Sequence, residues 1–191
     1  MVRSIALAAA LATVLVADAG AQQRPPAGNQ QRPILSPRDT VSLEVALGQR
    51  IYVDYGRPSM RGRRIMGELV PYGRVWRTGA NAATTLLTDV DLELGGTRVP
   101  RGTYTLYTIP TAGGWTLIVN RQTGQWGTQY EAARDLARIP MQVSRLRAPV
   151  EQFTIGLERG RAGAGTLALE WETTRATVPF RVTSPAPRAR R

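Results

Sequence analysis

Residues 103–120 read TYTLYTIPTAGGWTLIVN. Two runs rich in Thr, Tyr, Ile, Leu and Val, Thr103–Ile109 and Trp115–Asn120, flank the turn residues Ala112-Gly113-Gly114. β-branched and aromatic side chains suit a pleated, half-buried surface, so the stretch predicts two strands joined by a tight turn. The same grammar extends outward. On the N-terminal side, Val41, Leu43, Val45 and Leu47 alternate with Ser42, Glu44 and Ala46, and Ile51, Val53 and Tyr55 follow after Gly48-Gln49. Thr84–Leu94 is aliphatic and β-branched and leads into Gly95-Gly96, a hairpin signal. On the C-terminal side, Val150–Leu157, Thr166–Trp171 and Ala176–Val182 complete the set, with Gly160–Gly165 as a hairpin loop. Short strands with turn signals this frequent predict an all-β fold, a single jelly-roll-like β-sandwich over residues 40–183. One segment departs from the pattern. Gln129–Arg138 (QYEAARDLAR) offers Tyr130, Ala133, Leu136 and Ala137 as one face of a short helix stopped by Pro140; its second half equally suits entry into a strand through Ile139, Met141 and Val143.

The ends differ from the middle. Met1-Val2-Arg3 is a short positive start, Ile5–Val16 an apolar run, and Ala19-Gly20-Ala21 supplies the small residues of a cleavage site, so residues 1–21 are expected to be a signal peptide. That implies an exported protein, periplasmic or extracellular, with no transmembrane segment in the mature chain; the apolar run is shorter than the ~20 residues a span needs. Residues 22–39, rich in Gln, Pro and Arg, read as a flexible linker, and residues 184–191 as a disordered basic tail.

Composition removes whole classes of chemistry. The chain has no Cys and no His, and all 25 of its basic residues are Arg. Ser-His-Asp and Cys-His catalysis, ordinary zinc or copper sites, Schiff bases and P-loops are thereby excluded. No cofactor or metal is expected. The formal net charge is +11. Arginine is weakly hydrated and forks onto carboxylate and phosphate, which favours anionic partners, while export and the scatter of the arginines argue against specific nucleic-acid binding.

Residues 54–81 (DYGRPSMRGRRIMGELVPYGRVWRTGAN) stand out as long, aperiodic and rich in Gly and Arg. Their apolar members Met66, Leu69, Val70, Tyr72, Val75 and Trp76 predict a loop that packs and sets Arg57, Arg61, Arg63, Arg64, Arg74 and Arg77 around a common face. Four blocks in and beyond this stretch carry a resemblance. Tyr55–Ser59 (YGRPS), Val70–Asn81 (VPYGRVWRTGAN), Pro100–Tyr104 (PRGTY) and Gln125–Gly127 (QWG) resemble the recurring blocks of the bacterial domain of unknown function 2911, over about residues 45–182. The resemblance implies an exported, mostly β domain. It assigns no activity and no catalytic residue.

Candidate site residues therefore rest on their own chemistry. Trp76 is an amphipathic plate, Arg77 a planar fork and Asn81 a donor and acceptor; with Arg57 they suit a sugar ring, a carboxylate or a peptide terminus. Trp126 and Tyr130, in the amide-rich stretch Asn120–Tyr130, form a second candidate face. The expected function is an envelope binding or accessory module for an anionic or carbohydrate-like ligand, or for an envelope protein. The alternatives are a hydrolase using carboxylates, with Asp54 or Glu68 as acid or base, and a purely structural domain in which Trp76 fills the core and Arg77 pairs with a carboxylate such as Glu68.

Overall fold

The computed structural model describes residues 35–183. Strands β1 (Arg38–Ala46), β2 (Gln49–Gly56), β3 (Thr84–Thr88), β4 (Asp91–Leu94), β5 (Thr97–Val99), β6 (Gly102–Pro110), β7 (Trp115–Asn120), β8 (Asp135–Arg159) and β9 (Ala164–Thr183) account for most of them. They form one antiparallel sheet in the order β1-β2-β3-β6-β7-β8-β9-β4-β5, which does not close. The all-β class is as expected. The two layers of the sandwich, however, belong to a single sheet turned back on itself.

The turn is made by β8. Its register with β9 shifts between Arg145 and Val150 and again before Thr154, and such bulges bend a strand and increase its twist. The early part of β8 pairs with β7. The later part lies across the molecule against β2: the Tyr55 ring meets Phe153 edge-on at 5.8 Å, and the Ile155 amide donates to the Tyr55 hydroxyl at 3.0 Å. One continuous core fills the space, with Ile51, Val53, Leu106, Leu117, Ile139, Ile155, Leu167 and Trp171 all buried.

Two local readings are decided by the fold. Thr84–Leu94 is not one strand. It breaks at Asp89-Val90, where β3 stays between β2 and β6 while β4 crosses to the far side of β9. The Thr88 hydroxyl closes the corner by donating to the Val90 carbonyl at 2.7 Å. Alternation continues through the corner, so periodicity alone hides it. Of the two readings open for Gln129–Arg138, the strand entry of its second half is the one found: only Ala132–Arg134 is helical, as a single 3₁₀ turn, and Asp135 already opens β8. A ten-residue helix is marginal by itself, whereas pairing with β7 satisfies the backbone here and buried Asn120 pins the junction, donating to Glu131 O and Asp135 Oδ1 at 2.9 and 2.8 Å.

At the N-terminal side, β1 begins at Arg38, inside the stretch read as linker. Arg38 grips Asp54 with both arms at 3.1 and 2.6 Å, and the Arg57 amide donates to Pro37 O at 2.8 Å. The expected signal peptide, the linker up to residue 34 and the basic tail lie outside the described residues.

Asp91 clips the β4–β5 hairpin. It accepts from the Arg101 amide and from Arg98, both at 2.9 Å. These donors favour the carboxylate and hold its pKa below the usual value. A carboxyl acidified by folding stabilises the protein above its unfolded pKa of about 4 and loses that contribution as pH falls through the lower folded value. Asp91→Asn is expected to destabilise at pH 7 and to lose its difference from wild type in strong acid. Urea unfolding across that range measures this; a difference constant with pH would refute it.

Candidate functional site

The stretch between β2 and β3 is pinned at intervals, with residues 61–64, 67–69 and 71–75 exposed between the anchors. Ile65, Met66 and Val70 are buried, and bridges tie Ser59 to Gln152, Trp76 to Thr108 and Ala82 to Trp126. Trp76 is its anchor. Its ring stacks on Trp171 at 5.8 Å and 19° and meets Phe153 and Trp115 edge-on at 5.0 and 6.2 Å. The chain then turns sharply. Thr78 and Asn81 have φ of 52° and 64°, and a β-branched residue in the left-handed region is an outlier that its surroundings must hold in place. They do so: the Thr78 hydroxyl donates to Thr108 Oγ1 at 3.2 Å, and the Thr78 carbonyl accepts from Thr84 Oγ1 at 2.8 Å.

The second loop, between β7 and β8, locks onto this turn through Gly127. Its amide donates to Asn81 O at 3.0 Å. A Cβ there would stand 2.7 Å from Asn81 O and 2.8 Å from Arg77 Cδ, so only glycine permits the crossing.

Between the two loops lies a cavity of about 680 Å³, within the range of small-molecule sites. Arg61, Arg63 and Arg77 line it, with Asn81, Thr128 and Ser36; Trp76, Trp171, Tyr107 and Tyr130 supply aromatic wall, and Leu35, Leu69 and Val75 apolar wall. No Asp or Glu is among the lining residues. Nor do these three arginines pair with a carboxylate among the described residues. Their side chains bond only backbone carbonyls: Arg61 to Leu35 O at 3.0 Å, Arg63 to Ser59 O and Met60 O at 2.7 and 2.9 Å, and Arg77 to Gly79 O at 3.3 Å. Among the described residues, then, three guanidinium groups without a salt-bridge partner line the cavity beside an apolar wall; two carboxylates bonded to lining residues are engaged by other groups, Glu151 by the Arg61 amide at 2.8 Å and Asp135 by the Tyr130 hydroxyl at 2.7 Å.

The family model described as "Protein of unknown function (DUF2911)" matches residues 36–180. The chain belongs to the DUF2911 family. No curated protein and no solved structure matches it. In this DUF2911 domain the matched span takes in both loops and every strand in whole or large part.

The structure brings four of the sequence candidates together: Trp76, Arg77, Asn81 and Tyr130 line the cavity. Two others lie elsewhere. Arg57 is held by Asp39 at 3.0 Å, Thr154 Oγ1 at 2.9 Å and Phe153 O at 3.1 Å, fastening β1 to β8. Trp126 is half exposed and outside the lining set. Asp54 is paired with Arg38 and Glu68 with Arg64, at 2.6 and 3.5 Å; neither lines the cavity. Glu68 is thus engaged by Arg64, not Arg77.

Tyr130 reaches the cavity through a polar cluster. Its hydroxyl donates to Asp135 Oδ2 at 2.7 Å and accepts from Arg138 Nη2 at 2.8 Å, and Arg138 Nε closes the triangle on Asp135 at 2.9 Å. Burial, reinforced by Asp135, raises the phenol pKa, so Tyr130 stays protonated at neutral pH. Tyr107 is likewise pushed up by burial; it donates to Gln129 O at 2.9 Å. Tyr107 and Trp171 are lining residues that sequence reading missed. Both sit inside regular strands, where nothing in the alternation marks which core aromatic borders a cavity.

Proposed function

We propose that this DUF2911 domain is a binding module of the cell envelope that holds an anionic ligand in the cavity between its two loops. One observation carries the reading: Arg61, Arg63 and Arg77 line one cavity, and no carboxylate is among its described lining residues. Charge-assisted contacts from guanidinium are stronger than neutral ones and suit carboxylate and phosphate. The strained turn at Thr78–Asn81 favours the same reading, because it presents Asn81 beside Arg77 without further ordering. The signal-peptide pattern of residues 1–21 is what supports an envelope location.

The test is calorimetric titration with matched pairs: glucuronate against glucose, and benzoate against benzyl alcohol. The charged member of each pair is expected to bind and the neutral one to bind far more weakly, with the difference reduced by salt. Arg77→Ala should weaken anion binding roughly 10- to 100-fold, the usual cost of removing a hydrogen bond to a charged group, while the unfolding midpoint stays near wild type. Equal binding of charged and neutral partners, or no binding of either anion, overturns the proposal.

A further inference from the structure

The lining also says what kind of anion fits. We infer that the ligand is an anionic amphiphile: one carboxylate or phosphate head held by the arginines, and an aliphatic body laid along the apolar wall and mouth. The inference rests on the anion-binding reading above and narrows it.

A polyol is the less suitable occupant for two reasons. Sugar hydroxyls both donate and accept, and protein sites usually answer them with carboxylates and amides beside an open aromatic face. Here the described lining offers three guanidinium donors and no carboxylate, its side-chain acceptors being the hydroxyls of Ser36, Thr128, Tyr107 and Tyr130 and the Asn81 amide. Its aromatic faces are also occupied by the protein itself: Trp76 is stacked on Trp171 and flanked by Trp115 and Phe153, and Tyr107 and Tyr130 meet edge-to-face at 4.9 Å. Trp126 exposes its ring, but outside the lining.

What does face outward is aliphatic. Leu35, Leu69 and Val75 are 58%, 45% and 38% exposed, and all three line the cavity. Trp126, at 52%, adjoins the lining residue Gly127 in sequence. Three of the seven large hydrophobic side chains that the described residues expose thus line this one mouth, and a fourth, Trp126, is next in sequence to a lining residue. Singly exposed apolar residues need no explanation, but a cluster rimmed by unpaired charge marks a binding surface. Positive charge and apolar surface side by side complement a molecule with an acidic head and an apolar body.

The experiment is a homologous series, butanoate to decanoate, titrated as monomers below the micelle concentration. Affinity is expected to rise roughly two- to fourfold for each methylene buried. Leu69→Ser and Val75→Ser alter exposed side chains and should flatten that slope; Arg77→Ala should lower the whole series and leave the slope. Two outcomes overturn the inference while leaving the anion reading standing: affinity that does not change with chain length, or a slope untouched by either serine variant. Loss of charge discrimination in the glucuronate and benzoate pairs removes the anion reading itself. A third result also counts against the inference: retention on phosphatidylglycerol vesicles without binding of any monomer, which assigns the mouth to a membrane surface through net positive charge.

Discussion

Gly56→Ala is expected to lower the thermal unfolding midpoint by roughly 6–12 °C. Gly56 ends β2, and the turn after Thr78 presses directly on it. A Cβ added there would stand 2.2 Å from Ala80 O and 2.9 Å from Ala80 C. Both obstructing atoms are backbone, and the turn that carries them is held by the buried Thr78 and Thr84 hydroxyls. The clash therefore cannot be relieved by rotating a side chain. Overpacking of this kind costs about 3 kcal/mol, and in a domain of this size each kcal/mol moves the midpoint about 2–4 °C. Because Ala80 and Asn81 line the cavity, the variant should also weaken anion binding. Gly114→Ala is the control: an added Cβ meets nothing within 4 Å, and stability should stay within about 0.5 kcal/mol of wild type. Calorimetric scans of both variants decide the matter. Equal midpoints for the two would show that the turn yields freely and does not preform the site.

Trp171→Ala should cost as much or more. Its side chain is 2% exposed, its indole N–H donates to Glu151 O at 3.2 Å, and its ring is the surface on which Trp76 lies. Removing a large buried aromatic typically costs 3–5 kcal/mol, part of it from the void left behind. The void would open into the existing cavity, since Trp171 is one of its walls. Two measurements separate the effects: denaturant unfolding gives the loss of stability, and near-ultraviolet circular dichroism reports the broken Trp76–Trp171 stack. Trp171→Phe should recover part of the stability but little of the dichroism. A loss below about 1 kcal/mol for Trp171→Ala would mean that the loop anchor is not Trp76 on Trp171.

The candidate site was legible in part, and the division has a cause. Trp76, Arg77 and Asn81 were found because they lie in one aperiodic stretch whose residue types have no evident structural use at strand spacing. Tyr130 was found by the same reasoning in the second loop. Arg57 was misplaced although it belongs to the same stretch: its guanidinium lies within reach of Asp39 and Thr154, residues 18 and 97 positions away, and no local pattern reveals such partners. Trp126 lies beside the cavity and not in its lining, a distinction that sequence does not carry. Tyr107 and Trp171 were invisible for the opposite reason, being regular core residues of β6 and β9 until the fold puts a cavity beside them.

Alternation of side chains over short runs, punctuated by glycine, was enough to determine that this chain is a β protein, because a two-residue period is a property of neighbours along the backbone. The absence of His, Cys and Lys likewise settled which chemistries it lacks, since no folding can supply a missing functional group. Strand partners were another matter: β4 crossing to β9, β8 bending so that Phe153 meets Tyr55, and Asp135 beginning a strand instead of continuing a helix all follow from contacts distant in sequence. Only that long-range packing could decide that Arg61, Arg63 and Arg77 would line one cavity with no Asp or Glu among its described lining residues.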